Sequence, residues 1–163
     1  MTAVSGELIK ISKDMLVLYT EDDQDTREQY RGILKLFFNE VDVAEDGEIA
    51  ISMFKEKKYD ILITDINMPK IDGMVLIGEV IKIYPEKNII VMTAPNTSQN
   101  LVGSIDYKVD GILIKPVQVD KFLHLLYKVC STIYLEKKEK SQDERTNTGK
   151  TILESFSDGG HAM

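Results

Sequence analysis

Five short apolar runs constrain this chain more than any other feature. They are MLVLYT (Met15–Thr20), VDVA (Val41–Ala44), DILIT (Asp60–Thr64), NIIVMT (Asn88–Thr93) and GILIK (Gly111–Lys115). They are close to continuous in apolar residues, as strands covered on both faces are. Between them the period changes. Asp25–Phe38 carries Tyr30, Ile33, Leu34, Phe37 and Phe38 at helical spacing. Asp46–Lys58 has acidic residues early and lysines late, the sense that suits a helix dipole. Gly73–Tyr84 predicts a helix that Pro85 stops, Thr97–Asp106 a shorter one, and Val119–Lys138 a long last one. Strand and helix thus alternate five times. Alternation of this kind implies parallel strands joined by right-handed crossovers. The predicted fold class is α/β: a doubly wound, five-stranded parallel sheet with helices on both faces.

In such sheets ligands bind beyond the carboxyl ends of the strands, where the strand order switches. The residues at those ends therefore matter most. Glu21, Asp22 and Asp23 follow the first strand, Asp65 the third, Thr93 the fourth, and Lys115-Pro116 the fifth. The second strand ends without a polar group, as an edge strand can. A strand needs the apolar run in ILITDINMPKIDG (Ile61–Gly73), but nothing in a strand needs the aspartate that closes it. Acidic helix starts, a threonine cap and a surface lysine explain each residue singly. They do not explain why all of them sit at one edge.

Carboxylates held close together repel, so one protonates or a cation binds. Oxygen ligands and a small, hard ion that keeps several waters point to Mg²⁺. Lys115 cannot ligate a cation, but it can pair with Asp65 or with an anion delivered to Asp65. A carboxylate beside Mg²⁺ and an ammonium is a credible phosphoryl acceptor, the metal and the lysine stabilising charge on the transferred oxygens.

Composition excludes several alternatives. The 163 residues suffice for one domain with a real core. A net charge of -7 disfavours a broad phosphate-backbone footprint, so this domain is expected to bind no nucleic acid. A single cysteine, Cys130, permits no internal disulfide and fits a reducing cytoplasm. No apolar run approaches membrane-spanning length and no basic-then-apolar leader opens the chain, so no membrane partner is expected.

Taken together, LYTEDD, TDINMPKIDG, VMTA and ILIKP resemble, in order and spacing, the receiver domain of bacterial two-component response regulators, over roughly Asp14–Lys137. The resemblance implies a flavodoxin-like sheet of order 2-1-3-4-5. It implies that Asp65 is the phosphoacceptor, that Asp22 ligates Mg²⁺ directly, and that Glu21 acts through a water. The Asn67 backbone carbonyl would complete the protein's share of the metal shell. Thr93 would hydrogen-bond a phosphoryl oxygen, Lys115 would pair with the phosphate, and the Lys115-Pro116 peptide would be cis. Asp23 has no family role and reads as solvated or as a helix start. The implied partners are a sensor histidine kinase or phosphotransfer protein, and a downstream protein target or output domain. Such a protein is a phosphorylation-dependent switch that catalyses only its own phosphorylation and dephosphorylation.

One departure from the pattern is Ile112, where family members often carry Tyr or Phe. That ring usually moves with the threonine hydroxyl. Ile112 cannot hydrogen-bond and is stiff at its first torsion, which weighs against a threonine–aromatic switch. Tyr107 is no substitute by position. Pro95, two residues after Thr93, has no N–H and no polar side chain to orient an attacking water, so slow loss of the phosphoryl group is expected.

Two rival functions remain. An aspartate-nucleophile phosphatase of the haloacid dehalogenase type places an acid/base Asp two residues after the nucleophile; here that residue is Asn67. A non-phosphorylated receiver-like binding module would not need the full acidic, Thr and Lys set. The remaining motifs read blandly. NTGKT (Asn147–Thr151) lacks a phosphate loop's first glycine, since Glu144 stands there. His124 and Cys130 read as helix residues without ligand roles. Residues 1–13 are expected to be a flexible or helical lead-in, 14–137 the receiver, and 138–163 a polar tail, linker or expression remnant. A stand-alone receiver and a piece of a larger regulator both remain open.

Overall fold

A computed structural model describes residues 2–96 and 109–157. In chain order the elements are α1 (Ala3–Ser12), β1 (Leu16–Thr20), α2 (Gln24–Leu34), β2 (Glu40–Ala44), α3 (Gly47–Glu56), β3 (Ile61–Asp65), α4 (Gly73–Ile83), β4 (Asn88–Thr93), β5 (Gly111–Ile114) and α5 (Val119–Ser157). The helix expected over Thr97–Asp106, and Tyr107, lie outside the described residues.

All five predicted strands form one parallel sheet of order β2-β1-β3-β4-β5, a flavodoxin-like arrangement. β1 pairs with β2 on one side and β3 on the other, so the connections reverse direction there and open a crevice between the ends of β1 and β3. Alternate residues along each strand feed opposite layers. On one face Leu18, Leu62, Ile89 and Val91 pack with Ala50 and Phe54 of α3 and Leu76, Ile77 and Val80 of α4. On the other, Tyr19 meets Tyr30 of α2 edge-on at 6.0 Å between ring centres, and Tyr30 meets Phe122 of α5 at 5.7 Å. Each fully buried side chain of this kind contributes about 1.5–3 kcal/mol.

Three helices open on an aspartate cap. Asp23, Asp46 and Asp72 accept hydrogen bonds from the backbone N–H groups of Thr26 (2.9 Å), Ile49 (2.9 Å) and Val75 (3.0 Å). Replacing such a cap with alanine typically costs about 1 kcal/mol. Asp23 is thereby a helix start, one of the two readings open from the sequence.

The helix expected over Asp25–Phe38 ends at Leu34. The N–H groups of Phe37 and Phe38 both turn back to the Leu34 carbonyl, and both rings are buried. The lead-in is helical. Leu8 of α1 is fully buried, and Ser12 Oγ lies between the carbonyls of Leu8 (2.6 Å) and Phe37 (2.8 Å).

The last helix corrects its predicted end. It was expected to stop at Lys138 and runs to Ser157. The residues past Lys138 carry no apolar stripe, which removes the usual sequence signal for a helix. They also carry no proline and many good helix formers, so the backbone continues. Hydroxyls of Ser141, Thr146, Thr148 and Thr151 bond carbonyls four residues back, at 2.8–3.0 Å. The chain divides into two compact units between Cys130 and Ser131. The first holds the sheet; the described part of the second is helical and largely exposed.

Candidate functional site

Asp65 is the last residue of β3 and is nearly buried. Its Oδ1 accepts the N–H of Ile66 at 2.6 Å and of Asn67 at 3.3 Å, bonds its position at a strand end makes possible. Its Oδ2 accepts from Lys115 Nζ at 2.7 Å. Lys115 reaches the site because β5 ends beside β4, where the Lys115 N–H bonds the Thr93 carbonyl at 2.8 Å. The next peptide, Lys115-Pro116, is cis, as the resemblance implies.

The same ammonium reaches Glu21 Oε2 at 2.5 Å. Glu21 is only 1% exposed although it is a carboxylate. Its other oxygen accepts the Asp23 N–H at 3.2 Å, and Tyr19 places its hydroxyl 3.5 Å from Oε2. Asp22 is exposed. One oxygen from each of Glu21, Asp22 and Asp65 lies within 4.8 Å of the others. Thr93 stands at the end of β4, fully buried, and its hydroxyl has no hydrogen-bond partner among the described residues.

Burial above all pushes the Glu21 carboxyl above its ordinary range, against the opposing pull of Lys115. Burial likewise pulls Lys115 down, but its hydrogen bonds to Asp65 and then Glu21 outweigh that and hold its pKa above the usual lysine value. Burial, and next the Glu21 charge, raise Tyr19 far above an ordinary phenol, so it stays a neutral donor.

A hard divalent cation fits this donor set. Three carboxylates supply oxygen ligands at one point, and the single ammonium there, Lys115, pairs with only two of them, Glu21 and Asp65. The orphaned Thr93 hydroxyl is a donor awaiting an acceptor oxygen. Every sequence-predicted site residue stands at this edge: Glu21, Asp22, Asp65, Asn67, Thr93 and Lys115. Ile112 lies beside Val91 and is partly buried against the α3–α4 core, with no polar group to offer Thr93.

Residues 17–127 match the family model for the response regulator receiver domain. The chain belongs to the response regulator receiver domain family.

Receivers are signalling domains of two-component systems, and the family as a whole is not a class of enzymes with turnover. Among its relatives, transcription factor SKN7 of Candida albicans is 32% identical over 137 residues, 84% of this chain and 24% of that protein. The aerobic respiration control sensor protein ArcB of Escherichia coli is 29% identical over 135 residues, 77% of this chain and 17% of that protein. The chain thus spans only part of these curated relatives, 17% of ArcB and 24% of SKN7. The crystal structure of response regulator protein TrrA from Thermotoga maritima, in complex with Mg(2+)-BeF, superposes with a TM-score of 0.63 at 28% identity, covering 71% of this receiver and 99% of that chain.

Sequence reasoning missed several contacts of this receiver. Arg27 of α2 donates through Nη1 to the carbonyls of Glu21 (2.9 Å) and Asp22 (3.2 Å), holding the backbone that presents both acids. Lys115 engages two carboxylates rather than one. Asp46, the cap of α3, also pairs with Lys70 in the loop after Asp65. Only the Arg27 contact had a local signal, a basic residue one helical turn into α2.

Proposed function

We propose that this receiver accepts a phosphoryl group from a phosphohistidine partner onto Asp65 and works as a phosphorylation-dependent switch. One observation carries the reading. Lys115 bridges Glu21 and Asp65 at 2.5 and 2.7 Å beside Asp22, with the unpartnered Thr93 hydroxyl on the neighbouring strand. Asp22, Asp65 and the Asn67 carbonyl would hold Mg²⁺, with Glu21 acting through a water. When bound, the ion neutralises charge on the phosphoryl oxygens and on the crowded carboxylates.

The protein's own groups do the rest. An Asp65 carboxylate oxygen attacks phosphorus, the phosphorus–nitrogen bond of the donor breaks, and its electron pair stays on the departing imidazole. Lys115 shifts from the carboxylates onto a phosphoryl oxygen, and Thr93 donates to another. The added charge then biases a conformational equilibrium that a downstream protein target or output domain reads. The receiver proper is taken as residues 14–137, with 1–13 a lead-in and 138–163 a tail. The cytoplasm is the expected compartment; no described helix is long and apolar enough to cross a membrane.

The test is incubation with acetyl phosphate and Mg²⁺ followed by intact mass. The wild type gains one phosphoryl group and Asp65→Asn gains none, because the amide is nearly isosteric but a poor nucleophile. Equal labelling of the two proteins overturns the assignment. Sustained turnover of a generic phosphomonoester would instead favour a phosphatase.

A further inference from the structure

The loop between β3 and α4 carries Asn67, and its course is unusual at one point. Lys70 has a φ of 66°, and it is the one non-glycine residue with positive φ among the described residues. Ile66 and Met68 anchor the first half of the loop in the core, and the Gly73 N–H closes it onto the Ile66 carbonyl at 2.8 Å. The second half has no such anchor at Pro69 or Lys70, both of which are exposed. What holds Lys70 is an ion pair across to a different element. Its Nζ lies 3.2 Å from Asp46 Oδ2 and 4.0 Å from Glu48 Oε2, at the start of α3.

Asp46 is well placed to be a fixed post. It is 4% exposed, and its Oδ1 is already committed to the Ile49 N–H at 2.9 Å. Its carboxyl lies below the usual aspartate range, first because of that backbone bond and then because of Lys70. Contact next to the pair is tight. A Cβ on Gly47 would stand 2.5 Å from the Ile71 carbonyl oxygen, so the α3 start and the loop touch backbone to backbone.

We propose that Lys70 and Asp46 form a strap that positions the β3–α4 loop for metal binding at Asp65, making both of them positioning residues. The proposal rests on the function proposed above and deepens it. The strap fixes the second half of the short loop that begins at the acceptor, and through it the Asn67 backbone that would ligate the metal. Without it the loop samples other courses, and cation binding must first select the right one.

Charge alone predicts a different pattern, which makes the strap testable. Removing the Lys70 ammonium takes a positive charge from the neighbourhood and, by charge, tightens cation binding. Removing the Asp46 charge weakens it. Loss of a strap weakens binding in both cases. Lys70→Met keeps the aliphatic stem, and Asp46→Asn keeps an oxygen for the Ile49 N–H, so both variants retain the helix cap and fold.

Mg²⁺ titration calorimetry on the full chain should show Kd raised about threefold in each single variant. The Lys70→Met/Asp46→Asn double variant should be no worse than either single, since one interaction can be lost only once. Lys70→Arg, which can still reach Asp46, should restore wild-type affinity. In acetyl phosphate labelling, the half-saturating Mg²⁺ concentration should rise while the rate at saturating Mg²⁺ stays unchanged. Unchanged Kd, shifts of opposite sign in the two singles, or additive losses in the double variant each overturn the strap. If the wild type binds Mg²⁺ but takes up no label, the proposed function fails and the strap is judged on Mg²⁺ affinity alone. If the wild type binds no Mg²⁺, both fail.

Discussion

Replacing Gly73 with alanine adds one methyl group at the first position of α4, and the structure gives that group nowhere to go. The new Cβ would stand 2.1 Å from the Asp65 carbonyl oxygen, 2.8 Å from Ile66 Cα and 2.9 Å from the Asp65 carbonyl carbon. All three atoms are backbone, so no side chain can swing aside. Gly73 does not have positive φ, so the conflict is purely one of space. Reaching ordinary contact at 3.4 Å requires the nearest pair to separate by about 1.3 Å. Either β3 ends differently, which moves Asp65 relative to Lys115, or α4 starts further out, which moves the loop that carries Asn67 relative to Asp65.

Overpacking of this kind costs about 1–3 kcal/mol. Taking about 2 kcal/mol and a urea slope of about 1.5 kcal/mol per M, the unfolding midpoint falls by about 1.3 M. Displacing a reacting group by about 1 Å costs on the order of a hundredfold in rate, so labelling of Asp65 by acetyl phosphate should slow by about that factor in protein that remains folded. Gly32→Ala is the control. Gly32 lies inside α2 with nothing within 4 Å of its added Cβ. There the same substitution should stabilise by about 0.5–1 kcal/mol, because alanine loses less backbone freedom in a helix. A Gly73→Ala protein that unfolds at the wild-type midpoint and labels at the wild-type rate would refute the steric reasoning.

Further outcomes follow from the site. Asp22→Ala should weaken Mg²⁺ binding and slow labelling, and it should raise stability in metal-free buffer by relieving like-charge repulsion; unchanged Mg²⁺ affinity counts against the site. Glu21 is raised above its ordinary 4.5 by burial. The folded state therefore holds a proton that the unfolded chain releases, and metal-free stability falls as pH climbs from 4.5 toward the elevated value. Urea midpoints measured against pH should show a shallower fall in Glu21→Gln; identical slopes would rule out Glu21 as the source. Lys115 is raised, so its pairing stabilises fully below the ordinary 10.5 and fades as pH rises through its higher folded value; alkaline unfolding of Lys115→Met should lack that contribution, and matching curves would contradict it. Finally, Pro95→Glu should lose phosphate about tenfold faster than the wild type at matched Mg²⁺, a barrier difference of about 1.4 kcal/mol. Equal rates would show that water positioning at residue 95 does not limit hydrolysis.

The alternation of five apolar runs with helical periods carried the sheet, its parallel sense and the edge at which function sits, because strands covered on both faces leave no other way to bury those runs. The residues of the candidate site were legible for the same reason. Once Asp65 and Thr93 each terminate a strand and Lys115 directly follows another, one sheet edge brings them together without any knowledge of the loops. Element ends were less legible. The turn at Leu34 and the run of α5 to Ser157 depend on where N–H groups find acceptors, and apolar spacing does not record that. Contacts between residues far apart in sequence needed the tertiary structure outright. Lys115 and Glu21 are 94 residues apart, and Lys70 and Asp46 are 24. Nothing local to any of the four indicates which carboxylate each ammonium meets. That choice is made by the parallel pairing of β1 with β3 and by the close approach of Gly47 and Gly73 to neighbouring backbone. A lysine's partner is set by which carboxylate the folded backbone leaves within reach, and only the packed chain decides that.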